Sequence, residues 1–350
     1  MFRSMLFRLL CLILLVVSGG ASAQGKTFQN PLLVFAGADP HIVFHDGWYY
    51  MTYTTGRDIQ IRKSRSLATL DQAEMKVVFQ PEGEASCCHV WAPEFHLLEG
   101  PSGKRWYIYY TAGPKDCCAH QRMYVAESAT EDPMGPYTFK GKIADPRHDF
   151  WAIDASVVQT RDHLYLVYSG TPEDFMPHEK PQHLYIAEMA NPWTLKSERV
   201  EISSPTFIWE RMGGPVNEGP VALYHNDQIF LAFSGSGCWT DDYSLGLLKA
   251  SANADLLNPA SWTKLPEPVL ERNDAGQVYG PGHNGFFKSP DGTEDWVVYH
   301  ANPAPGQQCG ESRVARAQKI TWDQSGMPVF GEAVPLWTDL PLPSGDPGAP

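Results

Sequence analysis

Short apolar strands recur along the chain at a nearly constant spacing. Five segments share one pattern, in which an aromatic residue is followed three places later by another: GWYYMTYTTG, KRWYIYYTAG, DHLYLVYSGT, DQIFLAFSGS and EDWVVYHANP. The first aromatic residues of these pairs lie 57 to 66 residues apart, at Tyr50, Tyr107, Tyr165, Phe230 and Trp296. A repeat of this length, built from short strands and turns, is typical of β-propellers and other repeat architectures.

Each repeat extends into four strands. A short apolar strand precedes the aromatic one, as in HIVFH and PVALYH, and turns such as Asp46-Gly47 predict a hairpin between the two. A third strand follows, as in IQIRKS and RMYVAES, and then a weaker fourth one, as in KVVFQ and PYTFKG. No stretch of helical periodicity competes. We therefore predict an all-β fold over residues 30–340, a five-bladed β-propeller with four-stranded antiparallel blades around a central channel.

The beginning of the chain predicts export. Two arginines, an apolar run from about Leu6 to Val17 and the small residues Ala21-Ser22-Ala23 are typical of a cleavable signal peptide. We assign it to residues 1–23, with cleavage near Ala23. The apolar run is too short for a spanning helix, and no later stretch is long and apolar enough for one. We expect a periplasmic or extracellular protein without a membrane partner.

Charge and composition narrow the class of ligand. The formal net charge is −13, and acidic and basic residues are spread along the chain. This balance argues against a nucleic acid partner and fits a neutral or cationic ligand. Aromatic residues are abundant, but no basic run interleaves them, so we expect them to stack on sugars rather than on bases. We expect a monomer.

Acidic residues recur at corresponding positions of the repeats. The first strand of a propeller blade is innermost, so the beginnings of the five inner strands meet at one mouth of the channel. Reading back 11 to 13 residues from each aromatic residue gives Asp39, Glu94, Asp154, Glu218 and His283. Taken singly, Asp39 before Pro40 resembles an ordinary turn, and Asp154 a backbone cap. Together they indicate a functional cluster, since carboxylates with perturbed pKa values gather at functional sites.

A pair of carboxylates is the apparatus of glycoside hydrolysis. One protonates the leaving oxygen, and the other activates water or attacks the sugar. The acid needs a raised pKa, which burial and neighbouring negative charge provide. Glu218 is flanked by apolar Val216 and Val221, so we predict that it is the general acid. Asp39 is then the base, and Asp154 tunes and orients Glu218.

Five motifs are similar to the successive inner-strand motifs of glycoside hydrolase family 43: GADPHIVFHDGWYYMTYT, VWAPEFH, AIDASV, VNEGPVAL and GPGHNGFF. The resemblance covers about residues 30 to 340. It implies a five-bladed propeller that hydrolyses arabinose- or xylose-containing plant polymers with inversion. It also implies Asp39 as general base, Asp154 as pKa modulator and Glu218 as general acid. Inversion requires a gap of roughly 6.5–9.5 Å between base and acid, to admit a water.

Two other segments, GSGCWTDDYSLGLLKAS and KSPDGTEDWVVYHA, are similar to α-L-arabinofuranosidases of that family. The resemblance implies release of terminal α-L-arabinofuranosyl residues from arabinan or arabinose-substituted polysaccharides. A β-xylosidase and an endo-arabinanase are the alternatives within the family. A non-catalytic sugar-binding propeller is an alternative of another class, although such propellers tend to repeat one site in every blade. The acidic cluster disfavours a protein-interaction propeller.

Further residues are expected around the acidic cluster. The resemblance implies that His283 holds a hydrated calcium ion or a water, although one imidazole with waters is an unusual calcium site. The alternative is a buried histidine bonded to backbone. The resemblance also implies a substrate contact for Arg313, whose planar donor fork suits sugar hydroxyls. Its alternative is an outer-blade salt bridge. The remaining candidate substrate-binding residues are Trp91, Trp151, Trp239, Phe35, His89 and Glu94.

Six cysteines follow the predicted signal peptide, all in loops at the same mouth: Cys87, Cys88, Cys117, Cys118, Cys238 and Cys309. An even number in an exported chain indicates disulfides, whose connectivity the spacing leaves open. We expect pairing within each adjacent doublet and between Cys238 and Cys309. A zinc site with His89 and His120 beside the doublets is the alternative, but the spacing fits no known ligand pattern.

Overall fold

The computed structural model describes residues 26–173 and 181–349. Over these residues the chain forms five small antiparallel sheets arranged as a five-bladed β-propeller, which confirms the predicted fold class. The predicted signal peptide, residues 1–23, lies outside the described residues. Within them, no helix combines the length and the apolar character needed to cross a membrane.

Each blade is a meander of consecutive strands. Blade one contains β2 (His41–His45), β3 (Trp48–Thr52), β4 (Ile59–Ser64) and β5 (Glu74–Phe79). Blade two contains β6 (Cys88–Gly100), β7 (Gly103–Gly113), β8 (Arg122–Ser128) and β9 (Tyr137–Lys142). Blade three contains β10 (Ala152–Gln159), β11 (Leu164–Gly170) and β12 (His183–Asn191), with β13 (Thr194–Leu195) and β14 (Val200–Ser203) both paired to β12.

The last two blades have the same order. Blade four contains β15 (Asn217–His225), β16 (Gln228–Gly235), β17 (Ser244–Ser251) and β18 (Thr263–Lys264). Blade five contains β19 (Tyr279–Lys288), β20 (Asp295–Asn302), β21 (Val314–Trp322) and β22 (Pro328–Val329). The first strands of neighbouring blades contact one another around the channel, as expected of innermost strands.

The hydrophobic cores lie between the blades. Five clusters of buried apolar residues each combine side chains from two neighbouring blades. Successive side chains of a strand point to opposite faces, so Tyr49 of β3 packs against blade five whereas Tyr50 packs against blade two. The second strand of a blade is thus buried on both faces. This is why its sequence is a continuous apolar run rather than an alternating one.

A short strand pair closes the ring. β1 (Thr27–Gln29) pairs antiparallel with β23 (Asp339–Pro341), next to the seam between blade five and blade one. Phe28 of β1 is buried in the core of that seam, with its ring centroid 5.9 Å from that of Trp296. The next residues continue along β21, where the amide of Leu32 donates to the carbonyl of Ala315 at 2.7 Å. The N-terminal segment therefore joins the last blade to the first.

The cysteines pair as expected. The bonds are Cys87–Cys88, Cys117–Cys118 and Cys238–Cys309. The last bond connects loops of blades four and five, and its Cα atoms are 5.4 Å apart. With all six sulfurs paired, these cysteines provide no thiolate for the alternative zinc site beside His89.

Replacing Phe28 by alanine should lower the free energy of unfolding by about 3–5 kcal/mol, because the lost ring leaves a cavity in the seam. Denaturant titration followed by tryptophan fluorescence measures this change. Phe35→Ala is the matched control, since Phe35 is 82% exposed, and it should change stability by less than about 0.5 kcal/mol. Equal losses in the two variants would contradict the proposed closure.

Candidate active site

In every blade, one corresponding residue in or just before the inner strand adopts the left-handed backbone conformation, near the same mouth of the channel. These residues have φ between +42° and +58°: Asp39, Ala92, Asp154, Gly219 and His283. In β6, β10, β15 and β19 the position coincides with a β-bulge, where the pairing to the second strand shifts register. A bulge re-aims nearby side chains, and here it directs several of them into the mouth of the channel.

The neighbouring blade supports each bulge through the residue that directly follows the second aromatic residue of the repeat. This residue is Thr54, Thr111, Ser169, Ser234 or His300. The side chains of four of them accept a hydrogen bond from a backbone amide of the next blade. The amides of Ala92, Asp154 and His283 donate to the hydroxyls of Thr54 at 2.7 Å, Thr111 at 3.1 Å and Ser234 at 2.7 Å, respectively. The amide of Asp39 donates to Nδ1 of His300 at 3.1 Å. Ser169 instead donates to the carbonyl of Asn217 at 2.9 Å. The repeat thus supplies both the site residues and the bonds that hold their backbone.

Two of the five predicted positions do not correspond to the others. In blade four the left-handed residue is Gly219, so Glu218 precedes the position of Asp39 by one residue. In blade two it is Ala92, so Glu94 follows that position by two residues. The offset arises because inner strands of different length precede the aromatic residues. Glu218 still reaches the pocket, whereas Glu94 lies deeper in the channel.

A cavity of about 320 Å³ lies at this mouth. The three predicted catalytic carboxylates and His283 line it, each only 5–8% exposed. Four other predicted residues line it too: Trp91, Trp151, Trp239 and Arg313. The rest of the wall consists of Thr54, Cys118, Ile153, Gln182, Cys238 and Cys309. The topology therefore brings together residues from all five blades.

Asp39 is surrounded by positive charge and hydrogen-bond donors. Its Oδ1 lies 3.2 Å from Nη1 of Arg313 and 3.3 Å from Nδ1 of His283. The hydroxyl of Thr54 donates to its Oδ2 at 2.5 Å. Burial by itself would raise the pKa of Asp39, but the charges of His283 and Arg313 outweigh it and hold that pKa well below its usual value. Asp39 is thus an ionised carboxylate that can accept a proton.

Asp154 and Glu218 have the opposite electrostatics. Burial, reinforced by the negative charges of Glu218 and Asp39, raises the pKa of Asp154 to about 8 against the opposing effect of His283. Burial also raises the pKa of Glu218, although His283 opposes it and so does Tyr243, whose hydroxyl donates to Oε1 at 2.7 Å. A carboxyl with a raised pKa can hold a proton near neutral pH, as a general acid must.

Asp154 also fixes the backbone beside Glu218. Its Oδ2 accepts a hydrogen bond from the amide of Gly219 at 3.1 Å. The ligand-type atoms of Asp154, Glu218 and His283 all lie within 4.8 Å of one another. A change in the charge of Asp154 is therefore transmitted to Glu218 both through space and through its neighbouring peptide.

The two histidines beside Asp39 differ in charge. Burial would lower the pKa of His283, but the charges of Asp39, Asp154 and Glu218 raise it above its ordinary value. Burial lowers the pKa of His300 to about 4, and its Nδ1 accepts the amide of Asp39. The structure thus favours a charged His283 and a neutral His300, so the positive charge next to Asp39 comes from His283 and Arg313.

The other candidate residues separate into two groups. Arg313 contacts Asp39 and the carbonyl of Cys309, so it belongs to the pocket rather than to an outer-blade salt bridge. Phe35, His89 and Glu94 are not among the pocket-lining residues in the described part of the chain. Phe35 is mostly exposed, and Nε2 of His89 lies 3.2 Å from the carbonyl oxygen of Lys115.

Several residues of the site were not predicted. Thr54, Ile153 and Gln182 line the pocket, while Tyr243 and His300 contact the carboxylates from behind. One signal for His300 is present in the repeat. At the position after the second aromatic residue, four blades have serine or threonine, and blade five alone has a histidine.

Comparisons with known proteins identify relatives of this chain. The sequence profile described as "Glycosyl hydrolases family 43" matches residues 28–328. The extracellular exo-α-(1→5)-L-arabinofuranosidase of Streptomyces avermitilis is 41% identical over 322 residues, which cover 89% of this chain and 64% of that protein. The protein of the same name from Streptomyces chartreusis is 38% identical, with 80% of this chain and 84% of that protein covered.

A solved structure is similar as well. The crystal structure of an α-L-arabinofuranosidase from Lactobacillus brevis superposes with a TM-score of 0.80 at 35% identity, and covers 88% of this chain and 98% of that one. Fold and site together define a β-propeller with a carboxylate centre at one mouth of its channel. The chain belongs to glycoside hydrolase family 43, as the motifs implied. It spans 64% of the length of the Streptomyces avermitilis relative.

Asp154→Asn should stabilise the protein at pH 8, by about 1–2 kcal/mol. The folded-state pKa of Asp154 is raised, so the wild-type carboxyl contributes stability below its unfolded pKa of about 4 and loses it as the pH rises toward 8. Asparagine cannot ionise, so the variant loses no stability at this position between pH 4 and pH 8. Denaturant titrations of both proteins at pH 5 and pH 8 measure the difference, which should be larger at pH 8.

Asp145→Asn is the control with the opposite sign. Asp145 is also buried, but amides of Arg147 and Arg199 and the side chain of His148 overcome the effect of burial and lower its pKa. Its stabilisation is present above the unfolded pKa and is lost as the pH falls, so Asp145→Asn should destabilise most at high pH. If Asp154→Asn increased the free energy of unfolding by the same amount at pH 5 and pH 8, the raised pKa of Asp154 would be contradicted.

Proposed function

We propose that this chain is an exported, inverting glycoside hydrolase that releases terminal α-L-arabinofuranosyl residues from arabinan or arabinose-substituted plant polysaccharides. The observation that carries the proposal is the buried pocket shared by Asp39 and Glu218, in which Asp39 lies beside the guanidinium of Arg313. This arrangement lowers the pKa of Asp39, whereas burial raises that of Glu218, as a base and an acid require. The arabinofuranosidase names of relatives at 35–41% identity support the sugar. Their description as extracellular supports export, together with the signal-like beginning of the chain.

The proposed reaction is a single displacement. Asp39 removes a proton from a water as that water attacks the anomeric carbon, and Glu218 donates its proton to the leaving glycosidic oxygen. The C–O bond to the leaving group breaks as the new C–O bond forms, so an α-linkage yields a β-arabinose. Asp154 acts on Glu218 by holding the amide of the neighbouring Gly219. The two carboxyls also interact electrostatically, since the charge of Glu218 raises the pKa of Asp154.

The walls of the pocket suit a terminal sugar. Trp91, Trp151 and Trp239 provide aromatic surface, and Trp239 is 38% exposed at the rim. Aromatic rings that combine apolar faces with a polar N–H suit ligands of mixed character such as sugars. Arg313 combines two tasks, since the same guanidinium that pairs with Asp39 can donate to a hydroxyl. These contacts support binding of a chain end.

A hydrated calcium ion near His283 remains a prediction. The oxygens of Asp154 and Glu218 lie near His283 and are the type of ligand that calcium prefers. A charged His283 has no free lone pair, so it would have to lose its proton before its imidazole could bind the ion. A single imidazole supplies few of the six to eight ligands that calcium requires, so waters would complete the shell. When bound, such an ion would add positive charge behind the carboxylates.

The substrate is tested by incubating the protein with linear α-1,5-arabinan and, separately, with xylo-oligosaccharides, followed by chromatography of the products. We expect arabinose alone from the first and nothing from the second, with β-arabinose as the first anomer in proton NMR. Longer arabino-oligosaccharides would indicate an endo-arabinanase. Xylose with intact arabinan would indicate a β-xylosidase, and binding without any product a sugar-binding propeller.

Glu218→Gln should lower kcat on an arabino-oligosaccharide by about 10²–10⁴-fold, because the leaving oxygen no longer receives a proton. On an aryl arabinofuranoside with an acidic phenol as leaving group, most of this loss should disappear, because that group departs without protonation. Asp39→Asn should lose activity on both substrates, since the attacking water is never activated. Steady-state kinetics with both substrates measure these effects.

The exposed Glu332 supplies the control variant. Glu332→Gln should keep wild-type rates on both substrates, and fluorescence spectra should show that all three variants are folded. Equal losses on the two substrates for Glu218→Gln would contradict its assignment as the acid. If Asp39→Asn regained activity on the aryl substrate, the assignment of Asp39 as the base would be contradicted.

A further inference from the structure

A second cluster of ligand-type side chains lies in the channel, away from the catalytic pocket. It consists of His41 of β2 and of Glu94 and His96 of β6, whose ligand atoms all lie within 4.8 Å of one another. His41 and Glu94 are each 5% exposed. His41 and His96 line a different cavity of about 450 Å³, together with late inner-strand residues such as Gln159 and Tyr224. This cavity is the opposite mouth of the channel.

The protonation of His41 leaves one nitrogen unsatisfied. Its Nε2 lies 3.2 Å from the carbonyl oxygen of Phe95, which only accepts, so Nε2 carries the proton. Its Nδ1 is buried and has no hydrogen-bond partner among the described residues. This nitrogen lies 3.7 Å from Oε2 of Glu94. This arrangement is unfavourable, because Nδ1 of His41 and Oε2 of Glu94 face each other with their lone pairs and no hydrogen-bond donor lies between the two atoms.

A cation between the two side chains would give Nδ1 of His41 a partner and remove its repulsion from Oε2 of Glu94, which already accepts the hydroxyl of Ser156.

The spacing of the cluster fits a tetrahedral metal. Zinc–ligand bonds of about 2.0–2.2 Å place neighbouring ligand atoms about 3.4 Å apart. Oε2 of Glu94 lies 3.0 Å from Nε2 of His96 and 3.7 Å from Nδ1 of His41, on either side of that value. Small movements of these side chains would therefore bring their ligand atoms to the spacing of a tetrahedral site.

The surroundings of the cluster are those of metal ligands. A ligating histidine usually donates its other N–H to a carbonyl or carboxylate, which orients the ring, and His41 does so to Phe95. The hydroxyl of Ser156 donates to Oε2 of Glu94 at 2.6 Å and holds the carboxylate from the side of blade three.

We propose that His41, Glu94 and His96 bind one zinc ion, with a water from the opposite cavity as the fourth ligand. Two imidazoles and a carboxylate form a donor set that zinc commonly accepts. The ion would connect the inner strands of blades one and two. Because His41 follows Asp39 by two residues, the site would also fix the beginning of the strand that carries Asp39.

The test is zinc titration of chelator-treated protein by isothermal calorimetry, with cobalt as a spectroscopic probe. One zinc per chain should bind, and the melting temperature should rise, because zinc binds the folded state. Cobalt should give the visible absorption of a tetrahedral site. His96→Gln and Glu94→Gln should each weaken zinc binding by about 100-fold or more, since even second-shell changes cost about 10–100-fold.

Two variants serve as controls. His45→Gln changes a partly exposed histidine on the same strand β2 and should bind zinc as the wild type does. His283→Gln should also keep the zinc, which separates this site from any ion in the catalytic pocket. His96 is 19% exposed, so His96→Gln provides the test even if Glu94→Gln fails to fold. Absence of stoichiometric zinc, unchanged affinity in His96→Gln, or an equal loss in His45→Gln would overturn the proposal.

Discussion

The site depends on one backbone feature, the left-handed residue in or just before each inner strand together with the hydrogen bond that holds it. An L-amino acid with a side chain is strained at positive φ, and such strain persists only where the surroundings enforce it. Here a threonine, serine or histidine from the preceding blade binds the backbone at or beside the bulge. The fold therefore makes the same turn five times, with aspartate in blades one and three and a different residue in each of the other three blades. Where the longer Glu218 is used, Gly219 takes the left-handed conformation.

The asymmetry of the site comes from the position of its positive charges. Arg313 precedes β21 of blade five, which lies next to blade one, so its guanidinium reaches Asp39 directly. Asp154 and Glu218 belong to blades three and four and have no arginine within salt-bridge distance among the described residues. Burial thus dominates their pKa values, while charge dominates that of Asp39. Three carboxylates of similar chemistry thus acquire opposite pKa shifts, because Asp39, unlike the other two, lies beside an arginine.

The repeat explains how much could be predicted from the sequence. The second strands are buried on both faces, so their aromatic pairs predicted five blades. The nearly constant offset of 11 or 12 residues before these pairs led to Asp39, Asp154 and Glu218. Bulges and unequal strand lengths are invisible in such a count, which is why Glu94 was expected at the wrong depth. Residues whose direction depends on local backbone irregularity or on tertiary contact were harder still. His89 has φ of +50° and turns to a loop carbonyl, and no local pattern encodes such a direction. Tyr243 reaches Glu218 only through tertiary contact.

The closure of the ring has a consequence for the behaviour of the protein in solution. Every apolar core lies between two blades, so opening the seam uncovers two complementary faces at once, Tyr49 and Met51 on one side and Trp296 and Val298 on the other. The same faces on a second opened chain would match them, which is the condition for domain-swapped association. The pairing of the three-residue strands β1 and β23 beside this seam helps to keep both faces covered.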